Sequence, residues 1–237
     1  MLEWIGSRLW GGSGAISVGG FTMQTDMVSY YAKRAEEYER IYAKPERQDD
    51  LQRVRALAKV TLEGHDVLEI SCGTGYWTEA FAPVARSVLA CDLNAEVLEI
   101  ARRKKMSPAP VEFIQADSYA LPRFNRPFSA AFAGFWWSHI PKRRITEFLG
   151  GFHAQLRRGA TVMFVDNRYV EGSSTPISRV DERGDSFQQR RLADGTVHEV
   201  LKNFPSKEEL LLAVADLSSV AEVTLTDYFW VLRYTVT

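Results

Sequence analysis

One nine-residue stretch constrains the fold of this chain more than any other, Val67-Leu68-Glu69-Ile70-Ser71-Cys72-Gly73-Thr74-Gly75. Three apolar residues and an acid lead into two glycines, a pattern that predicts a buried β-strand ending in a tight turn. Glycine lacks the Cβ that would keep a ligand away from the backbone, so the turn predicts close approach of a bound molecule. The third glycine of the dinucleotide-binding fingerprint is absent, because Thr78 occupies its place.

Carboxylates stand at or near the ends of three successive predicted strands. Glu69 lies inside the first strand, Asp92 follows the apolar run at 87–91, and Asp117 follows the run at 111–116. Ligands of open α/β sheets bind beyond the carboxyl ends of the strands, so these acids are expected at a ligand-binding edge.

Strands alternate with helices along the middle of the chain. The sequence predicts strands at 66–71, 87–92, 111–115, 128–133 and 160–165. Helices are predicted at 29–42, 50–60, 77–83, 95–104 and from Pro141 to Leu156, with Asn94 capping the fourth. Alternation of this kind indicates a mostly parallel sheet with helices on both faces.

The pattern changes after the fifth strand. The turn signal at Asp194-Gly195 predicts a two-stranded ribbon formed by 186–192 and 197–203. A helix at 206–216, capped by Ser206, and two β-rich runs at 221–225 and 228–236 complete the chain. Residues 168–204 are expected to form an insertion or lid, because long loops in compact domains are commonly functional.

Composition limits the organisation and the partners of the chain. Its 237 residues, 46% hydrophobic and 25% charged, fit one soluble domain, predicted at 29–237 with a helical cap at 29–60 and a flexible extension at 1–28. A net charge of -1 predicts no general attraction to nucleic acid or to anionic membranes. No apolar run approaches the roughly 20 residues of a membrane-spanning helix. The two cysteines suit no disulfide framework and favour a reducing cytoplasm.

The motif E-x-x-x-G-x-G at Glu69, Gly73 and Gly75, together with Asp92 and Asp117, resembles the class I S-adenosylmethionine-dependent methyltransferases. The resemblance covers about residue 29 to the C-terminus. It implies a Rossmann-like three-layer αβα sandwich whose seven-stranded, mostly parallel sheet has an antiparallel C-terminal strand. It also implies S-adenosyl-L-methionine as the cofactor and S-adenosyl-L-homocysteine as the product.

The glycine turn is expected to hold the methionine part of the cofactor. Backbone N–H groups of Gly73, Thr74 and Gly75, with the N-terminus of the following helix, can bind its carboxylate. The resemblance places Glu69 under the turn, where the family's acid contacts the ammonium group.

The next two strand ends are expected to hold the nucleoside. Asp92, with Leu93 beside it, is placed to accept the ribose hydroxyls, and Asp117 with Ser118 is placed at the adenine. The resemblance also implies a tyrosine-bearing N-terminal helix over the cofactor, from which we select Tyr31. The alternative is structural: each acid caps a turn or a helix, and the tyrosines form an ordinary core face.

The aromatic segment after the fourth strand is expected to meet the methyl group and its acceptor. Phe135 is assigned to the cofactor, and Trp136 and Trp137 to the acceptor pocket, because their rings suit a sulfonium cation and a flat acceptor. His139 is the candidate general base, with a free pKa near neutrality. Alternatively, the tryptophans fill a core and the histidine bonds to the backbone.

The absence of several known motifs narrows the range of possible methyl acceptors. The segment at 134–137 is neither the (Asp/Asn)-Pro-Pro-(Tyr/Phe) tetrapeptide of nucleic-acid adenine methyltransferases nor the Pro-Cys of cytosine C5 enzymes. Metal-dependent catechol enzymes need an acid after strand 4 besides Asp166-Asn167, and that acid is absent. The sequence therefore predicts no metal site and no nucleic-acid or membrane partner. The expected partner is a small molecule with an O, N or C nucleophile, bound by a monomer or a homodimer.

Two other functions stay open at this point. An NAD(P)-dependent oxidoreductase would share the strand and glycine turn, although Thr78, Glu69 and Asp117 disfavour it. A non-catalytic S-adenosylmethionine-binding regulatory protein would keep the nucleotide pocket without a competent acceptor site.

Overall fold

The computed structural model describes residues 30–31, 34–106 and 109–237. The predicted extension at 1–28 lies outside these residues. The helix predicted at 29–42 is described only in part, as helical residues at Tyr30 and Tyr31 and a 3-10 helix at Ala35–Tyr42. A second 3-10 turn, Pro45–Arg47, leads into the first α-helix.

The helices lie close to their predicted positions, with one correction. They are α1 Gln48–Leu62, α2 Tyr76–Phe81, α3 Ala95–Arg103, α4 Ile145–His153 and α5 Lys207–Val214. Pro141 does not open α4, because its ψ of 135° is extended and a 3-10 turn at Lys142–Arg144 separates it from the helix. Ser206 caps α5 as predicted, with the reciprocal bond from Glu209 that completes a capping box. Asn94 lies at the N-cap of α3 but makes no side-chain capping bond.

The predicted fold class is confirmed. Seven strands form one sheet: β1 Asp66–Ile70, β2 Ser87–Asp92, β3 Val111–Gln115, β4 Phe128–Gly134, β5 Leu156–Asn167, β9 Ser218–Leu225 and β10 Phe229–Val236. Their order is β3-β2-β1-β4-β5-β10-β9, and β10 runs antiparallel to both of its neighbours. β5 begins four residues before its predicted start at 160.

Side chains on the two faces of the sheet enter separate apolar layers. Along β1, Val67 belongs to a cluster with α1 and α2, whereas Leu68 and Ile70 belong to a cluster with α4 and α5. Every residue of β4 except the terminal Gly134 is buried, as expected of a central parallel strand. The parallel strands therefore end together at one well-supported edge.

A second, smaller sheet follows β5. The predicted ribbon is confirmed as β7 Ser186–Arg191 paired with β8 Val197–Leu201. A short third strand, β6 Arg179–Val180, was not predicted; two residues are too few for a periodic signal. Among the residues that the structure describes, no helix is long and apolar enough to cross a membrane.

Candidate active site

Two cavities lie side by side at the carboxyl edge of the parallel strands. The first has a volume of about 480 Å³ and the second about 340 Å³. Tyr31, Phe135 and His139 line both cavities and so form a shared wall between them. Residues of the predicted lid, such as Phe187 and Gln188, contribute to the far sides.

The first cavity collects the ends of four neighbouring strands. The lining residues stand at or just after the strand ends: Ser71 and Gly73 for β1, Asp92, Leu93 and Asn94 for β2, Asp117, Ser118 and Tyr119 for β3, and Gly134, Phe135 and Trp136 for β4. The structure thus brings together eight of the predicted cofactor and catalytic residues: Tyr31, Gly73, Asp92, Leu93, Asp117, Ser118, Phe135 and His139.

The backbone at this edge adopts left-handed conformations. Two residues other than glycine do so, Ser71 with φ 50° and Phe135 with φ 58°, and such strain clusters at ligand sites. Gly75, with φ 75°, begins α2, and an added Cβ there would lie 3.1 Å from Met106 and 3.2 Å from Ala101. Only glycine fits that turn without strain.

Asp92 holds the glycine turn and faces the first cavity. Its Oδ2 accepts the Gly73 N–H at 2.9 Å and its Oδ1 accepts the Asn94 N–H at 2.9 Å. Burial raises the pKa of the carboxyl, against the opposing effect of these backbone bonds. An ionised carboxylate has about four acceptor positions, so two bonds leave room for ligand hydroxyls.

Glu69 and Thr74 support the turn from outside the cavity lining. The Thr78 hydroxyl donates to Glu69 Oε2 at 2.5 Å, and burial raises the pKa of Glu69 to about 8. Thr74 donates its hydroxyl to Glu39 at 2.8 Å. The threonine in place of the third glycine therefore satisfies a buried acid.

Asp117 and Ser118 both line the cavity and order its wall. Asp117 Oδ1 accepts the Tyr119 N–H at 2.9 Å, which is the turn-capping role considered from the sequence. The hydroxyls of Ser118 and Ser71 lie 2.9 Å apart, linking the ends of β3 and β1. Capping and lining are compatible here, since a carboxylate keeps further acceptor positions.

His139 forms a neutral pair with Tyr31 in the shared wall. His139 Nδ1 lies 2.6 Å from the Leu201 carbonyl, which only accepts, so Nδ1 carries the proton. Nε2 then accepts from the Tyr31 hydroxyl at 2.9 Å. Burial, followed by the charge of Lys202, lowers the pKa of His139 to about 3, and burial raises the pKa of Tyr31 to about 12. Burial thus moves the pKa of His139 away from its free value near neutrality and disfavours protonation of the ring.

The side chains of the two adjacent tryptophans lie in different environments. Trp136 lines the first cavity and packs edge-on against Tyr119, with ring centroids 5.6 Å apart. Trp137 is 2% exposed and lies in the core, 5.0 Å from Phe164 and 6.1 Å from Trp230 between ring centroids. Its assignment to the acceptor pocket is corrected, because the 3-10 turn at Trp137–His139 sends adjacent side chains to different sides.

A buried ion pair under the wall was missed from the sequence. Lys202 Nζ donates to Asp166 Oδ1 at 2.7 Å and to the Ser138 hydroxyl at 2.6 Å. Burial alone would raise the pKa of Asp166, but Lys202 and then His139 lower it overall. Asp166 Oδ2 accepts the Ser138 N–H at 3.0 Å, and Oδ1 also accepts the Asn167 N–H at 2.7 Å.

The contacts of Asp166 also bear on the question of a metal site. Both of its oxygens already accept bonds from within the chain. No group of three or more His, Cys, Asp or Glu side chains within residues 30–31, 34–106 and 109–237 is arranged to hold a metal ion.

The second cavity is strongly basic, which the sequence did not indicate. Its lining includes six cationic side chains: Arg34, Lys44, Arg47, Arg190, Arg191 and Lys202. These residues come from two regions about 150 positions apart, and only the fold brings them together.

Comparisons with known proteins agree with this architecture. A family model described as a methyltransferase domain matches residues 67–159. Two solved structures, described as the DhpI-SAH complex and the DhpI-SAM-HEP complex, each superpose with a TM-score of 0.71. Their sequence identities are 29% and 26%, they cover 89% and 90% of this chain, and this chain covers 95% and 98% of theirs.

Curated relatives match over shorter lengths. Demethylmenaquinone methyltransferase from Clavibacter sepedonicus is 29% identical over 167 residues, which are 68% of this chain and 63% of that protein. An uncharacterised methyltransferase from Anoxybacillus flavithermus is 24% identical over 127 residues, which are 53% of this chain and 58% of that protein. The chain thus spans about three fifths of the length of these two relatives.

Proposed function

Because this chain belongs to the class I S-adenosylmethionine-dependent methyltransferases, we propose that it methylates a small molecule bound in the second cavity. The observation that carries the proposal is the shared wall of Tyr31, Phe135 and His139 between two cavities. Methyl transfer by in-line displacement needs a donor site and an acceptor site that meet at one point. S-Adenosyl-L-methionine supplies a methyl group already activated by its sulfonium charge.

The order of the lining residues along the sheet edge supports the assignment of the first cavity to this cofactor. Asp117 and Ser118 would hold the adenine, and Asp92 the ribose hydroxyls. The Gly73 turn would hold the methionine carboxylate, and Glu69, buried beneath it, would support the turn through its bond with Thr78. Thr74, Gly75 and Leu93 complete the set assigned to the cofactor.

The wall residues position the two reactants and exclude water. Phe135 offers an apolar, electron-rich ring to a cation, and Lys202 Nζ lies 5.9 Å from its centroid on the second-cavity side. His139, held by Leu201 and by Tyr31, stays neutral and orients groups through hydrogen bonds. The chain then contributes positioning and desolvation more than proton transfer.

We further propose that the reaction proceeds without a metal ion. The Asp166 carboxylate, the nearest counterpart of a metal-binding acid, is neutralised by Lys202 within the buried network. Binding a cation there would require that ion pair to break, which is costly for a buried charge.

Two measurements test the proposed function. Calorimetry should detect S-adenosylhomocysteine binding and no NADH binding. Radiolabelled methyl from S-adenosylmethionine should then enter a product when the protein is incubated with a small-molecule extract. Absence of S-adenosylhomocysteine binding would refute the cofactor assignment. Binding without methyl transfer in extracts of several sources would instead support a non-catalytic role.

A further inference from the structure

The second cavity concentrates positive charge. Arg34, Lys44 and Arg47 line it from the segment before β1, and Arg190, Arg191 and Lys202 line it from the ribbon. Among the lining residues that the structure describes, none is Asp or Glu. A concave surface of one sign, walled by protein, focuses the field and attracts ions of the opposite sign.

Two of these cations are held by neutral oxygens. Lys44 Nζ donates to the Ser173 carbonyl at 2.5 Å, and Arg47 Nη2 donates to the same carbonyl at 3.2 Å and to the Ser173 hydroxyl at 2.8 Å. Arg47 is only 7% exposed, and its Nη1 donates to Asn167 at 3.0 Å. Neutral acceptors satisfy the donors without cancelling the charge.

Two acids that the structure describes lie beside these cations. Asp166 pairs with Lys202 below the cavity floor. Glu46 is exposed and accepts the Ser173 hydroxyl at 2.8 Å. Lys44 and Arg47 thus share the single charge of Glu46 through Ser173, so a net positive charge remains around Ser173 among the residues that the structure describes.

Burial and neighbouring positive charges act together on two lysines of the cavity. Burial lowers the pKa of Lys44, and the charge of Arg47 lowers it further. Burial likewise lowers the pKa of Lys202, with Arg190 adding to the effect against Asp166. Like charges gathered in a cleft are destabilising, and such arrangements mark functional sites.

We propose that the second cavity binds the acid group of an anionic acceptor, a small molecule carrying a carboxylate or a phosphate. This inference rests on the proposed function, because it takes the second cavity as the acceptor site. Arginine and lysine donors are the groups that recognise such oxyanions.

An ionised oxygen also suits the chemistry of the wall. When such an oxygen accepts the methyl, the new O–C bond forms as the S–C bond breaks and its electron pair stays on sulfur. The negative and positive charges cancel, and no proton is released. A neutral His139 with a pKa of about 3 is then sufficient, because no base is required.

Binding of simple anions tests the inference directly. Protein saturated with S-adenosylhomocysteine would be titrated with inorganic phosphate and with acetate at constant ionic strength. We expect saturable binding of at least one, weakened about tenfold or more in Lys44→Gln and in Arg190→Gln. The exposed Arg158→Gln on β5 is the matched control and should bind like the wild type.

The variants separate this inference from the proposed function. Lys44→Gln and Arg190→Gln should keep wild-type S-adenosylhomocysteine affinity, since neither residue lines the first cavity. Absence of saturable anion binding, or equal anion affinity in all variants, would overturn the inference while the cofactor assignment stands. Arg47 is avoided because it is buried and joins Asn167 as well as Ser173, whereas Lys44 Nζ bonds to the Ser173 carbonyl.

Fractionation of an extract provides a second test. Methyl-accepting activity is expected in the material retained by an anion exchanger, and activity confined to the unretained material would overturn the inference. Among retained acceptors, loss of activity after phosphatase treatment identifies a phosphate monoester. Resistance to phosphatase identifies a carboxylate or another resistant acid.

Discussion

Replacement of Asp92 by Asn is the sharpest test of the cofactor site. The carboxylate already accepts two backbone N–H groups, from Gly73 and Asn94, and is predicted to accept two ribose hydroxyls in addition. Asn keeps the size of the side chain and one acceptor oxygen but removes the charge. This choice avoids Asp92→Ala, which would leave both buried N–H groups without an acceptor.

The expected loss of affinity follows from the bonds removed. Two charge-assisted hydrogen bonds contribute about 1.5–3 kcal/mol each, and one neutral replacement returns about 0.5–1.5 kcal/mol. The net loss is about 1.5–5.5 kcal/mol, which weakens S-adenosylhomocysteine binding about 10- to 10,000-fold. Calorimetry measures the dissociation constant, and circular dichroism checks that the variant is folded.

A matched variant controls for the change in net charge. Glu112→Gln alters an exposed acid on β3, away from both cavities, and should leave the dissociation constant unchanged. A folded Asp92→Asn protein that binds S-adenosylhomocysteine within threefold of the wild type would refute the ribose assignment.

Three further predictions concern the wall and its supports. Burial lowers the folded-state pKa of His139 to about 3, so its contribution to stability is complete above the unfolded pKa near 6.5 and is lost as the pH falls below that value. Between pH 7 and pH 5, the free energy of unfolding should therefore fall about 2 kcal/mol more in the wild type than in His139→Gln, as measured by denaturation. Equal losses in the two proteins would contradict the burial argument. Lys202→Met should lower the free energy of unfolding by about 3–5 kcal/mol, because the buried Asp166 carboxylate loses its ion-pair partner. Adding Asp166→Asn should recover much of this loss. If the double variant shows no recovery, the unpaired buried charge is not the cause. Gly134→Ala would place a Cβ 2.6 Å from the Trp77 ring, so the melting temperature of this variant should fall. Gly151→Ala has open space around the added Cβ, so its melting temperature should change little. Similar shifts in both variants would contradict the packing account.

The fold and the strand ends that line the first cavity were predictable because their signals are local. Apolar runs that end in glycine or acid identify strand ends, and parallel strands must bring those ends together. Asp92, Asp117 and Phe135 therefore line one cavity, although they lie far apart in the sequence.

The shared wall and the second cavity were not predictable, because their determinants are tertiary. Trp136 faces the first cavity and Trp137 the core because of the side-chain directions in the 3-10 turn. The periodicity of apolar residues in the sequence does not reveal these directions. Nothing in the sequence distinguishes Lys202 from the other polar residues of the predicted ribbon, and its contact with Asp166 arises only from tertiary packing. The free pKa of His139 does not describe the ring in the folded protein, because the burial that lowers it depends on the whole fold.

A crystal structure with S-adenosylhomocysteine and an excess of phosphate or acetate tests the central claim most directly. The account predicts the nucleoside along Asp92 and Asp117, and the sulfur at the wall formed by Phe135 and His139. The anion should lie on the other side of that wall, bonded to Lys44 or Arg190. A sulfur directed away from the wall, or an anion bound elsewhere with the second cavity empty, would contradict it.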